Sequence, residues 1–294
     1  MTDRPEDTTD IDALFAQAQA SEDDETALAL YRRVLELDPD RRAAHYDIGL
    51  IHKYRGEWAD SLRSNRRAVD LDPGEESANW NLAIAATALR DWAEARAAWA
   101  RLGIEIPGDA GPIEADFGIT PVRLNPDDHA EVIWARRICP VRARLENIPL
   151  ADSGFRWGDV VLHDGAPVGT RVANGRDYSV FNELELFEAA GNGTFEAEVR
   201  ADDDATLQAL EEALDAAGCG VENWTQSLRT LCRKCSEGVP HEHHGDDHAA
   251  EAPRPETHVF GISAGSAAAI EAVLRAWDAG AGRVLRFETR LAPR

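Results

Sequence analysis

The chain has 294 residues, of which 44% are hydrophobic, and its 54 acidic against 31 basic residues leave a net charge of −23. That length accommodates about two domains with real cores. The charge argues against nucleic acid or an anionic membrane as partner, because phosphates need a basic counterpart.

The opening residues Met1–Glu6 hold no apolar stretch that reads as a signal peptide, and no later run approaches the roughly 18 apolar residues of a membrane span. The expectation is a cytoplasmic protein. Four cysteines in a chain of this length do not make a disulfide framework. Cys139 and Cys219 stand alone and read as small buried hydrophobes.

Pro39, Pro73 and Pro107 stand 34 residues apart, and each closes a segment of similar apolar spacing. The segment ends are Leu-Glu-Leu-Asp-Pro (35–39), Val-Asp-Leu-Asp-Pro (69–73) and Gly-Ile-Glu-Ile-Pro (103–107). Middle and last segments open alike, Ala44-His45-Tyr46-Asp47-Ile48-Gly49 and Ala78-Asn79-Trp80-Asn81-Leu82-Ala83. Small residues recur in register at Gly49 and Ala83, and at Ala27, Ser61 and Ala95, followed by Val34, Ala68 and Leu102. Three coinciding registers without an insertion make residues 8–109 a helical repeat array. It resembles the tetratricopeptide repeat, in which small residues let paired helices approach and a terminal proline stops the second helix.

The resemblance implies that this third of the chain binds a protein or peptide segment. It also implies that the first helix of each repeat lines a concave groove, here Asp12, Tyr46, Asp47, Leu50, Lys53, Trp80, Asn81 and Ile84. Family members that clamp a terminal carboxylate use lysine, asparagine and arginine at such positions. This chain has Asp12, Asp47 and Ser77 there, so the occupant expected is an apolar or basic segment held by Tyr46 and Trp80.

After Pro107, Gly108, Gly111, Pro112, Gly118, Pro121 and Pro126 break up the sequence, and residues 110–127 read as a linker or strap. From Glu131 the period becomes two, in Val132, Trp134 and Arg136 and later in Val141, Ala143 and Leu145. Pro140 suggests a bulge or edge strand. Turn signals at His163-Asp-Gly-Ala-Pro167 and Asn174-Gly175 flank the runs Val160–Leu162 and Tyr178–Phe187. Residues 128–190 are therefore expected to form a small, mainly antiparallel β module. Its four arginines at 136, 137, 142 and 144 read as a solvated face or as salt-bridge partners of acidic residues rather than as a nucleic-acid site.

Residues 194–294 contain a duplicated pattern. A strand at Phe195–Val199 precedes a helix capped within Asp202–Asp204, with Leu207, Leu210 and Leu214 on one face and Gly218 at its end. A strand at Val259–Ile262 precedes a helix with Ile270, Val273, Leu274 and Trp277, ending at Gly280. Strands at Gly220–Trp224 and Arg283–Thr289 follow the two helices. Two such β-α-β units are what a ferredoxin-like α+β sandwich needs. The fold class expected is thus multi-domain: a helical solenoid, a small antiparallel β module and a ferredoxin-like α+β unit.

Gly261-Ile-Ser-Ala-Gly265 fits the G-x-S-x-G nucleophile elbow and falls between a strand and a helix. The likeness to α/β-hydrolases stops there, since no histidine follows Ser263. A serine without a base is a weak nucleophile. The motif reads as a tight strand-to-helix turn, and no catalytic residue is assigned.

The densest chemical signal lies between the two units, in an insert at residues 228–250. Cys232 and Cys235, followed by His241, His243, His244 and His248, place two thiols and four imidazoles within seventeen positions. Thiolate and neutral imidazole are the ligands zinc prefers, and the C-x-x-C spacing lets both sulfurs meet one ion. A redox C-x-x-C would sit at a helix start after a strand, whereas here a helical stretch, Thr225–Leu231, precedes it. A histidine-rich tract can also be a solvated loop or a loose metal buffer. The sequence thus reads as a cytoplasmic adaptor with a zinc-stabilised C-terminal region. The alternative is a metal-handling protein or metalloenzyme that uses the Cys/His insert, with the solenoid recruiting its client.

Overall fold

A computed structural model of the chain describes residues 10–128, 130–225, 256–280 and 282–294. It divides into two compact units, Met1–Glu114 and Ala115–Arg294.

The first unit consists of three helix hairpins: α1 (Ile11–Gln19) with α2 (Asp24–Leu37), α3 (Arg42–Tyr54) with α4 (Trp58–Leu71), and α5 (Glu76–Ala88) with α6 (Trp92–Arg101). The second helices begin at Asp24, Trp58 and Trp92, one repeat of 34 residues apart. Aspartates start several of the helices. Asp10 accepts from the Asp12 and Ala13 amides at 3.1 Å, Asp23 from Thr26 N at 2.8 Å and Asp91 from Glu94 N at 3.2 Å. Each such carboxylate satisfies amides that the first turn leaves without an intrahelical partner.

The small residues sit where the helices cross. A Cβ on Gly49 would fall 2.4 Å from Asn65 Nδ2, so only glycine allows α3 and α4 this approach. Ser61 Oγ then donates to Gly49 O at 2.8 Å, and Asn65 Nδ2 donates back to Ser61 O at 2.9 Å. Ala27, Ala83 and Ala95 are buried in the same way, as are Val34 and Ala68, whereas Leu102 is only half-buried. Residues 11–101 are therefore a tetratricopeptide-like solenoid, as the repeat implies.

The second unit contains two sheets. Strands β1 (Ile119–Leu124), β2 (Glu131–Cys139), β3 (Arg142–Leu145), β4 (Val160–Ala173) and β5 (Arg176–Glu188) form a closed barrel. Neighbours in the sequence pair antiparallel, and β1 closes the ring by pairing parallel with β5 at Val122↔Phe181. The first strand occupies part of the span that the sequence reads as a linker. Pro121 lies within it and Pro126 just beyond it, but Val122 and Leu124 point into the core and hold it there.

The barrel interior takes Ile133 and Ala135, with Ala143, Leu145 and Val161. The opposite phase of β2, Val132, Trp134 and Arg136, faces outward, because successive side chains alternate sides. The register of β2 shifts between Arg137 and Cys139, beside the Pro140 turn, which is the expected bulge. His163–Pro167 makes no turn between strands. It is instead a distortion within β4, whose register jumps from His163↔Glu183 to Pro167↔Phe181. Asn174 and Gly175, at φ of 51° and 70°, do close the β4–β5 hairpin as a two-residue turn. Of the four clustered arginines, Arg136 pairs with Glu146 at 2.6 Å and Asp116 at 3.3 Å, and Arg142 is buried.

Strands β6 (Gly193–Arg200), β7 (Gly220–Asn223), β8 (His258–Ala264) and β9 (Arg283–Leu291) form the second sheet, in the order β7-β8-β6-β9 with every adjacent pair antiparallel. Helices α7 (Asp204–Ala216) and α8 (Ala267–Asp278) pack on one face. Leu207, Leu210, Leu214, Ile270 and Leu274 bury that face against Phe195, Ala197, Phe260 and Ile262. Trp277 Nε1 donates to Thr206 O at 3.1 Å and ties the helices together.

Barrel and sheet meet at the segment following β3. Glu222 of β7 accepts from Asn147 Nδ2 at 3.2 Å and Ile148 N at 3.0 Å, and Trp224 Nε1 donates to Ile148 O at 3.2 Å. The Trp224 indole lies where a Cβ on Gly261 would be, 2.1 Å away, which accounts for that glycine in the G-x-S-x-G match. Near the C-terminus the fully buried Asp159 accepts from Arg156 N at 2.8 Å, Ala190 N at 2.7 Å and Arg294 Nη1 at 3.1 Å.

Candidate functional site

On the solenoid, Tyr46, Asp47 and Leu50 of α3 align one repeat apart with Trp80, Asn81 and Ile84 of α5. Tyr46, Asp47, Leu50 and Trp80 are half-buried, whereas Lys53, Asn81 and Ile84 are buried and Asp12 is exposed. The α5 end of the stripe is therefore closed, and the part open to a ligand runs along α3 with Trp80 at its margin. Trp80 is held edge-on to the buried Trp99, ring centroids 4.9 Å apart, so its indole has one orientation.

Polar groups in the stripe are tied to the solenoid. Asp47 accepts hydrogen bonds from Tyr31 and from Gln19, the latter at 3.4 Å, and so links α3 to both helices of the first hairpin. Burial pushes its carboxyl above the usual range, and the two hydrogen bonds partly offset this. Burial likewise raises the Tyr46 phenol, with the Glu75 charge adding to it, while Ser77 and Asn81 hydrogen-bond its oxygen. Asp12 pairs with Arg41 at 2.6 Å. What this leaves for a ligand is mainly aromatic and aliphatic surface.

One residue of this surface escapes the repeat argument. Tyr54, at the end of α3, is 62% exposed and lies one turn beyond Leu50, with Lys53 Nζ 4.3 Å from its ring centroid. The i, i+4, i+8 spacing of Tyr46, Leu50 and Tyr54 was its signal, since such residues share a helix face.

The six expected metal ligands, Cys232, Cys235, His241, His243, His244 and His248, lie outside the described residues. The segment that carries them connects β7 to β8, which are antiparallel neighbours with Asn223 opposite Phe260, and Thr225 Oγ1 accepts from Val259 N at 2.8 Å. The described residues that flank the segment are thereby paired. Among the described residues no group of three His, Cys, Asp or Glu side chains is placed to hold a metal, and no helix is long and apolar enough to cross a membrane. Cys139 and Cys219 are buried and unbridged.

Ser263 lies within β8, opposite Thr194 and Gly220, rather than on the turn that precedes α8. It is 1% exposed, and its hydroxyl has no hydrogen-bond partner among the described residues. The barrel buries titratable groups that sequence gives no means of finding. Burial lowers His163 to about 4 and raises Glu131 and Glu183 each to about 7. Glu131 accepts from Leu150 N and feels the charge of Glu222.

No protein-family model and no curated protein matches the chain. Among solved structures, a crystal structure of MamA is 23% identical over 32% of this chain and 57% of its own, with a TM-score of 0.30. A second MamA structure is 20% identical over 36% of this chain and 63% of its own, with a TM-score of 0.29. An O-GlcNAc transferase variant from Thermobaculum terrenum is 33% identical over 34% of this chain and 20% of its own, with a TM-score of 0.29. The chain thus matches less than two thirds of each of these proteins. The tetratricopeptide assignment rests on the repeat and on the six helices that carry it.

Proposed function

We propose that the chain is a cytoplasmic adaptor whose solenoid holds an apolar or basic protein segment. The observation that carries this is the row Tyr46, Leu50 and Tyr54 along α3, with Trp80 beside it and the neighbouring carboxylate of Asp47 already engaged. Aromatic side chains on a rigid helix offer large contact area at low entropic cost, which is how such interfaces concentrate their energy. The test is a display of apolar and basic peptides against the full chain. Binding should be lost in Tyr46→Ala with Trp80→Ala while the helical circular dichroism is kept. Equal binding by a folded double variant refutes the groove.

In the same reading, Cys232 and Cys235 hold one zinc ion together with two of His241, His243, His244 and His248. Between Cys232 and Ala250 only Val239 and the Ala249–Ala250 pair offer apolar surface. That is too little to offset about 1–2 kcal/mol of backbone entropy for each residue ordered. A metal supplies the missing free energy, and the paired ends at β7 and β8 favour a closed site. Binding needs deprotonated thiols and neutral imidazoles, so acidification towards about pH 5 should release the ion. Elemental analysis after chelator-free purification decides it: no stoichiometric metal, or equal metal in Cys232→Ser with Cys235→Ser, rules the site out.

The C-terminal unit we read as ferredoxin-like. Its β-α-β-β-α-β order, with each β-α-β pair of strands split by a strand of the other, supports this.

A further inference from the structure

We infer that the edge strand β9 is a self-association surface and that its occupant is β9 of a second copy of this chain, paired antiparallel about Phe287. In the order β7-β8-β6-β9 the strand is bonded on one side only, to β6, and no described residue pairs with its outer edge. Six of its nine residues are exposed, and Leu285 is 48% exposed. Beside it, Leu274 of α8 with Val284 and Phe287 lines a groove of about 190 Å³, rimmed by Glu271, Arg275 and Asp278. An edge strand with an apolar groove next to it is the arrangement that strand addition uses.

The sequence of the strand selects the occupant. A two-fold axis normal to the sheet keeps the helices of both copies on one side, so opposed residues must share a face. The regular run between the two register shifts is Arg286–Thr289, and an axis whose two flanking residues both lie in that run can centre on Phe287 or Glu288. Centring on Glu288 places identical charges opposite each other. Centring on Phe287 sets Arg286 opposite Glu288 twice and brings the two Phe287 rings together on the groove side. Cross-strand pairs of opposite charge stabilise a sheet and like pairs destabilise it.

An independent observation points the same way. Within one protomer Glu288 stands directly opposite Glu196, an unfavourable pairing, while Arg286 stands opposite Glu198. Arg286 contacts Glu196 at 2.6 Å and Glu288 at 3.1 Å, and Arg290 contacts Glu196 at 3.2 Å. Two arginines thus serve three glutamates on this face. The Phe287-centred register brings the second copy's Arg286 against the outer side of Glu288 and completes alternating rows of charge across both sheets. The register shifts beside Leu285 and Arg290 end the regular run at both sides, so the contact is short and belongs with small, transient interfaces.

Sedimentation velocity on the full chain tests this. The wild type should dimerise reversibly at micromolar concentration. Arg286→Glu and Glu288→Arg should each weaken association by about tenfold or more, since each sets like charges opposite twice. An equimolar mixture of the two variants should form a heterodimer, because the reversed strand of one is complementary to that of the other. Should Arg286→Glu not fold against Glu196 and Glu198, Glu288→Arg, which gains Glu196 as a neighbour, must still show the same weakening. A monomeric wild type, a dimer indifferent to either reversal, or folded single variants that fail to associate when mixed overturns the inference.

Discussion

Replacing Glu131 by glutamine should change how stability depends on pH. The Glu131 carboxyl is raised from 4.5 to about 7, chiefly by burial, with the Glu222 charge adding and the hydrogen bond from Leu150 N partly offsetting. In the unfolded chain it ionises at its ordinary value, so between these two values the folded state keeps a proton that the unfolded state has released. An acid whose folded pKa is raised contributes its full share below the unfolded value and loses it as pH rises through the folded one. The interval from 4.5 to about 7 corresponds to about 3 kcal/mol, trimmed to about 2–3 kcal/mol by the partial exposure of the residue. Glutamine keeps an acceptor for Leu150 N and never ionises. The variant should therefore match the wild type near pH 4 and exceed it by about 2–3 kcal/mol at pH 8. Urea unfolding read from hydrogen exchange of β2 peptides isolates the barrel, and the difference between the two proteins cancels groups they share, such as Glu183. A difference that stays constant from about pH 5 to pH 8, or that runs the other way, refutes the reasoning.

Asp159→Ala removes the acceptor of two backbone amides and of Arg294, and should destabilise the second unit by about 3–5 kcal/mol in the same assay; a loss under about 1 kcal/mol means that water replaces it. Gly261→Ala drives a methyl into the Trp224 indole, with an expected cost of about 1–3 kcal/mol and a changed tryptophan emission, whereas an unchanged melting curve would show that the ring moves freely. Gly49→Ala presses on Asn65, which is pinned to Ser61, and should lower solenoid stability by about 1–3 kcal/mol in helical circular dichroism. Ser263→Ala deletes a buried hydroxyl without a partner among the described residues, so thermal unfolding should show it neutral or slightly stabilised.

The solenoid was legible in the sequence because each of its structural requirements repeats. Small residues at helix crossings (Gly49 and Ala83; Ala27, Ser61 and Ala95) and a proline closing each repeat recur one period apart, and contacts between neighbouring hairpins are local in the chain. The strands and helices of residues 193–291 were legible for the same reason, since alternation and helical spacing are set by adjacent residues, and Leu207, Leu210, Leu214, Ile270 and Leu274 all lie in the core. What tertiary structure alone decided is whatever depends on distant partners. Strand β1 contains Pro121 and is fixed by its pairing with β2 and β5, and the inward phase of β2 follows from barrel closure. The turn residues at 163–167 became a distortion because β5 continues past them. Exposure of Tyr54, closure of the stripe at Ile84, the raised carboxyl of Glu131 and the one-sided bonding of β9 all arise from which surfaces the folded chain covers. Composition and spacing specify side chains, but burial is a property of the whole packing, and the chemistry of a site follows burial.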